Sequence, residues 1–158
     1  MESRAPFAAK STLSNVDITK FMKNHNINGN ILTLEEFHND PDSANAYCVL
    51  FTGETKNEIN NGYTHHWLGM CGDYIFDSYG YYSDYKFPIT LNEVKCFPKR
   101  LQEFNSNVCG EYVLAFITFC QNKKLQPNIG RDFCYHHEFS TNRNQNDKTV
   151  LEWYEKNK

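Results

Sequence analysis

Four kinds of side chain in this sequence can together move an acyl group through sulfur. They are a cysteine nucleophile, a histidine base, a carboxylate to orient the base and an amide donor for the oxyanion. Leu101–Phe116 (LQEFNSNVCGEYVLAF) sets Gln102, Cys109 and Gly110 directly ahead of an apolar run with helical spacing. A cysteine in the first turn of a helix sits where unpaired backbone N–H groups and the helix dipole favour negative charge. That environment favours the thiolate, the form that attacks carbonyl carbon. Attack builds an oxyanion, for which the Cys109 N–H is one fixed donor. The Gln102 carboxamide, seven residues upstream, can be a second. Gly110 leaves room for a substrate backbone beside the sulfur. Further upstream, THHWLGMC and YIFDS carry His65, His66 and Asp77.

These groups must be brought together by the elements that carry them. Thr64–Cys71 and Tyr74–Ser78 read as strands joined by Gly72-Asp73, a pair of the hairpin-turn type. Alternation puts His66 and Leu68 on one face and His65 and Trp67 on the other. It does not choose between the two histidines. Pairing about the turn is expected to set Ser78 opposite His66 with Asp77 one step away, so that a carboxylate can hold an imidazole nitrogen and fix its tautomer. Ala46–Thr52 (AYCVLFT) is a continuous apolar run that reads as a buried strand, and Val94–Phe97 reads as another, ending at Pro98.

Helices complete the expected frame. Ser14-Asn-Val-Asp17 has capping-box form and predicts a helix over Asn15–Asn24, stopped by Asn28-Gly29-Asn30. A second short helix is expected from Thr33 to the breaker-rich Asn39–Asp42. The helix from Gly110 to about Lys123 buries Val113, Leu114, Phe116, Ile117 and Cys120. Ser140–Asp147 is expected to be a loop, with Asp147 capping a last short helix, Lys148–Glu155. Residues 1–10 read as a loose terminus. No repeat or second domain is visible, so residues 1–158 form one expected domain.

The 158-residue chain is long enough to bury about 68–70% of its unfolded surface. Its composition, 40% hydrophobic and 15% aromatic, is that of a globular protein. A net charge of −3 gives no general reason to bind nucleic acid or an anionic membrane. Met1–Lys20 has no secretory h-region, no N-x-S/T site occurs, and several of the six cysteines lie inside apolar runs. A soluble chain in a reducing, intracellular compartment is therefore expected. No apolar segment approaches the ~20 residues that span a bilayer.

Read in order, HHW, YIFDSYG and LQEFNSNVCG resemble the active-site blocks of the adenovirus-type cysteine proteases (adenain) and their relatives in virophages and Polinton-like elements. That group shares a clan with the SUMO-specific proteases. The resemblance covers roughly residues 46–120. Its histidine directly precedes tryptophan, which selects His66 before Trp67. Its acid lies on the following strand, as Asp77 does. Its oxyanion glutamine and its Cys-Gly pair match Gln102, Cys109 and Gly110, and Asn105-Ser106 echoes the viral branch. The resemblance implies an α+β, papain-like fold, with a mixed central sheet and the catalytic cysteine at the N-terminus of a central helix. It also implies a monomeric thiol endopeptidase with no cofactor. The implied substrates are viral capsid or core precursor proteins cut at Gly-containing sites, in a host cell or virion.

Three features depart from adenain. The histidine–acid connection is shorter, the acid is Asp where adenain has Glu, and the C-terminus is shorter. Activation by a peptide or DNA, which the resemblance would suggest, has no support from charge.

These residue types have other uses. A cysteine ahead of an apolar helix is more often simply core, but the ordered His-Trp, Phe-Asp, Gln and Cys-Gly blocks weigh against that here. Cys134-Tyr-His136-His137 is the one local Cys/His cluster and lacks the paired spacing of a zinc site. No metal is expected. Two alternative functions remain: a protease for SUMO or another ubiquitin-like protein, and a non-catalytic binding module that retains the fold.

Overall fold

The structure is a computed structural model that describes residues 13–33, 36, 39–40, 47–51, 67–71, 74–79, 95–96, 100–103, 106–123 and 128–158. Its elements in chain order are α1 (Asn15–Asn24), β1 (Ile31–Thr33), β2 (Tyr47–Phe51), β3 (Trp67–Cys71), β4 (Tyr74–Phe76), β5 (Lys95–Cys96), α2 (Cys109–Lys123), α3 (Ile129–His136) and α4 (Arg143–Asn157). The fold is α+β. Among the described residues the strands form one five-stranded sheet in sequence order, β1-β2-β3-β4-β5. The sheet is mixed: β2–β3 and β3–β4 are antiparallel, while β1–β2 and β4–β5 are parallel.

Local chemistry accounts for the helix ends. At α1 the expected capping box forms: Asp17 N–H donates to Ser14 Oγ at 3.3 Å, and Ser14 N–H donates to Asp17 Oδ2 at 3.0 Å. The helix ends at Asn24, as expected, but the residue that closes it lies ahead of Asn28-Gly29-Asn30. Asn26 takes a left-handed φ of 55°, and Ile27 N–H bonds the Met22 carbonyl at 2.8 Å, closing the helix with asparagine in place of glycine. A capping box also forms at Thr33, where Glu36 N–H donates to Thr33 Oγ1 at 3.0 Å and Thr33 N–H to Glu36 Oε1 at 3.0 Å. Thr33 additionally ends β1, a strand too short to leave a periodic signal.

One helical expectation is corrected, and one helix was not anticipated. The last helix begins at Arg143, because Asn142 Oδ1 accepts from Gln145 N–H at 3.1 Å and caps it first. Asp147 therefore lies within the helix and does not cap it. The segment around Cys134 is helix α3, whose buried Ile129, Gly130 and Phe133 pack inward.

The core is built on α2, which is buried over most of its circumference. One face of the sheet lies directly on it. A Cβ at Gly69 would come within 3.2 Å of Val113, so β3 approaches α2 as closely as backbone allows. Tyr74 and Phe76 of β4 stack on Phe116 at 5.6 and 4.6 Å, and Phe133 meets both Phe76 and Phe116 edge-on. Leu68, Met70 and Ile75 alternate to the other face and are also buried. A strand covered on both faces reads as an unbroken apolar run, as β3 and β4 do.

Candidate active site

Cys109 is the first residue of α2. Val108 precedes it, and its carbonyl accepts from Tyr112 N–H at 3.2 Å. The valine side chain carries no oxygen, so acceptors for the first-turn amides must come from elsewhere. Cys109 itself is 2% exposed, and Glu111, two residues on, is also 2% exposed. Cys109 is a free thiol.

The space beside Gly110 is occupied. A Cβ there would meet Leu13 Cβ and Cδ1 at 3.1 Å and Trp67 Cδ1 at 3.2 Å. The expectation that Gly110 makes room for substrate is thus corrected: the missing side chain lets α2 close onto β3 and onto Leu13, two residues before α1. Trp67 is fully buried in this contact, and its indole N–H donates to the Leu13 carbonyl at 3.1 Å. The start of β3 is in this way fixed against the first turn of α2. His66, the residue before Trp67, lies outside the described residues, as do His65 and Asn105.

Asp77 follows β4 and is completely buried; its Oδ1 accepts from Tyr79 N–H at 2.9 Å. The β3–β4 register pairs Gly69 with Phe76, Met70 with Ile75 and Cys71 with Tyr74. Continued past the last paired residues, it aligns Leu68 with Asp77 and Trp67 with Ser78. That differs by one residue from the pairing expected from sequence, which set Ser78 opposite His66. Two residues separate Cys71 from Tyr74, so a ladder closing on that pair fixes the offset.

Gln102 is also completely buried and joins the Asp77 turn to the segment ahead of Cys109. Its Oε1 accepts from Ser78 Oγ at 2.6 Å. Its Nε2 donates to Ser106 Oγ at 2.8 Å and to Tyr79 Oη at 3.0 Å, with the Ser106 carbonyl at 3.2 Å. The backbone N–H groups of Leu101 and Gln102 both reach the Ser78 carbonyl, at 2.8 and 3.1 Å. Tyr79 Oη donates in turn to the Ser106 carbonyl at 2.8 Å. Both amide protons of Gln102 are therefore committed within the protein. Service to an oxyanion requires that one of these bonds be exchanged.

Burial, and next the neighbouring Cys109, push the Tyr79 hydroxyl above its usual pKa, so it stays protonated. Sequence reasoning did not assign Ser78, Tyr79, Tyr112 or Asp147 to these hydrogen bonds. Tyr112 Oη donates to Asp147 Oδ1 at 2.7 Å, linking α2 to α4 beneath the same segment.

No protein-family model, curated protein or solved structure matches this chain.

Among the described residues no group of three His, Cys, Asp or Glu side chains has metal-binding geometry. The arrangement offers a thiol at a helix N-terminus, with a buried carboxylate and a buried carboxamide tied together by one turn. Thiol nucleophilic chemistry is what such a set can do.

Proposed function

We propose that this chain is a cysteine endopeptidase of papain-like, adenain-like fold, using Cys109, His66, Asp77 and Gln102. The observation that carries the reading is the buried link from the Asp77 turn through Ser78 and Tyr79 to Gln102 and Ser106, directly ahead of Cys109. The turn that follows Asp77 and the segment that carries Gln102, far apart in sequence, are tied by hydrogen bonds. Trp67 against Gly110 supports it further, because it holds the strand preceded by His66 at the head of α2.

In this reading His66 takes the Cys109 proton, and the thiolate attacks the scissile carbonyl. The Cys109 N–H, with the Gln102 carboxamide once it has exchanged a partner, carries the oxyanion. His66 then protonates the leaving amine while Asp77 holds the imidazole, and water hydrolyses the thioester. Substrates are viral capsid or core precursor proteins with Gly at the cleavage site, processed by a monomer in a host cell or virion. A SUMO or other ubiquitin-like substrate is the nearest alternative and uses the same chemistry.

One observation favours a different class. A thiol that is 2% exposed and a glutamine whose amide protons are both occupied are also what a non-catalytic binding module would retain. Turnover of a Gly-containing peptide ester separates the readings. It is expected for the wild-type chain and absent in Cys109→Ala, whose circular dichroism and melting should be unchanged. Equal turnover by the variant would sink the assignment.

A further inference from the structure

Ser78 stands next to Asp77 in the turn after β4 and is completely buried. Its Oγ donates to Gln102 Oε1 at 2.6 Å. Its carbonyl accepts from Leu101 N–H at 2.8 Å and from Gln102 N–H at 3.1 Å. One residue thus holds both the backbone and the side chain of Gln102. Tyr79 N–H donates to Asp77 Oδ1 at 2.9 Å, so the same turn is clasped by the carboxylate that would orient His66.

The groups around the carboxamide favour one orientation. The Tyr79 hydroxyl gives its only proton to the Ser106 carbonyl at 2.8 Å, so its oxygen is an acceptor. The Ser106 carbonyl accepts and cannot donate. Both lie by Nε2, at 3.0 and 3.2 Å. Turned round, Oε1 would face these two oxygens, neither with a proton to offer it. At the other end of the carboxamide, Ser78 Oγ supplies the donor that Oε1 needs. That bond lies on the end the reaction leaves alone. An oxyanion takes a proton from Nε2 and displaces Tyr79 or Ser106, and at that moment the Ser78 bond keeps the amide from turning.

We infer that Ser78 is a positioning residue for the candidate active site: its hydroxyl anchors Oε1 of Gln102, so that Nε2 can exchange a partner for the oxyanion without the carboxamide turning over. This rests on the protease reading proposed above. Without the hydroxyl, Oε1 is a buried acceptor that has lost its donor, and the amide gains reason to turn.

The test is a double-mutant cycle on the full chain, Ser78→Ala against Gln102→Met, which removes the carboxamide at similar volume. Gln102→Met should lower kcat for a Gly-containing peptide ester about 100-fold, the usual cost of an oxyanion donor. Ser78→Ala should lower kcat about tenfold in the wild-type chain, and less than about twofold when Gln102 is already Met. KM and the rate of Cys109 alkylation by iodoacetamide should stay within about threefold in Ser78→Ala, separating position from binding and thiol state. Exchange of the Gln102 carboxamide protons, followed by nitrogen-15 NMR, should quicken about tenfold in that variant, a readout that needs no turnover. Should Ser78→Ala fail to fold, Ser78→Cys, close in shape and a weaker donor, carries the same comparison. An unchanged kcat, or an equal fall in both backgrounds, overturns the proposal and leaves the protease reading standing. Unchanged carboxamide exchange overturns it too, whether or not the chain turns over. A folded wild-type chain without turnover overturns the protease reading itself, and the positioning role with it.

Discussion

At Gln102, two hydroxyls and a carbonyl compete for two amide protons, and at Asp77 a carboxylate oxygen is spent on the next turn. Both residues were identifiable by type and spacing. Their partners were not, because Ser78 and Tyr79 stand more than twenty residues from Gln102, and local patterns carry nothing about such contacts. Asp147 was read as a helix cap for the same reason: a carboxylate near a helix start looks alike whether it serves its own backbone or a distant tyrosine. His137 gives a residue-scale test that is independent of catalysis. It stacks on Phe139 at 5.3 Å and meets Phe133, Trp153 and His136 edge-on. Burial, and then the adjacent His136, lower its pKa from 6.5 to about 4. The unfolded chain therefore holds a proton that the folded one rejects between those values. The stability this contributes is complete above pH 6.5 and is lost as pH falls toward about 4. The loss is at most about 1.4 kcal/mol per pH unit. Urea midpoints measured across that range should drop in the wild type and flatten in His137→Phe; parallel curves would refute the assignment.

Among the elements, α1, α2 and the β3–β4 pair were legible because each has a strong local signal: a capping box, an apolar run with helical spacing, and two apolar strands across a two-residue connection. α3 was hidden by its Cys-Tyr-His-His sequence, which draws attention as a ligand cluster while its buried side is only Ile129, Gly130 and Phe133. The start of α4 was hidden by a run of Asn and Asp in which any of several residues can cap. Asn142 does so, and Asn146, inside the helix, is buried to bond the Leu101 and Ser140 carbonyls. The meeting of α2 with β3 offers the element-scale prediction. In Gly110→Ala the new Cβ would press on Leu13 and Trp67, whose positions are fixed by the bond between the indole and the Leu13 carbonyl. Overpacking of this kind costs about 1–3 kcal/mol. The helix gains about 1 kcal/mol when Gly becomes Ala. The variant should be less stable in chemical denaturation, by about 1 kcal/mol. A gain in stability would mean that α2 and β3 are not in tight contact.

For the whole molecule, the α+β class was what the resemblance implied, and the structure, with a mixed sheet and α2 against it, is α+β. The one-residue difference in register shows where sequence reading loses precision: counting across a turn fixes a pair only once it is known which residues close the ladder. No helix among the described residues is long and apolar enough to cross a membrane. The proposed protease function rests on a frame of the sheet, α2 and α4 around Cys109, whose thiol is buried. Its central claim is best tested by treating the full chain with a thiol-reactive peptidyl electrophile ending in Gly and mapping the modified residue by mass. Stoichiometric labelling of Cys109, lost in His66→Ala, is the predicted result. Labelling spread over several of the six cysteines and indifferent to His66 would contradict it.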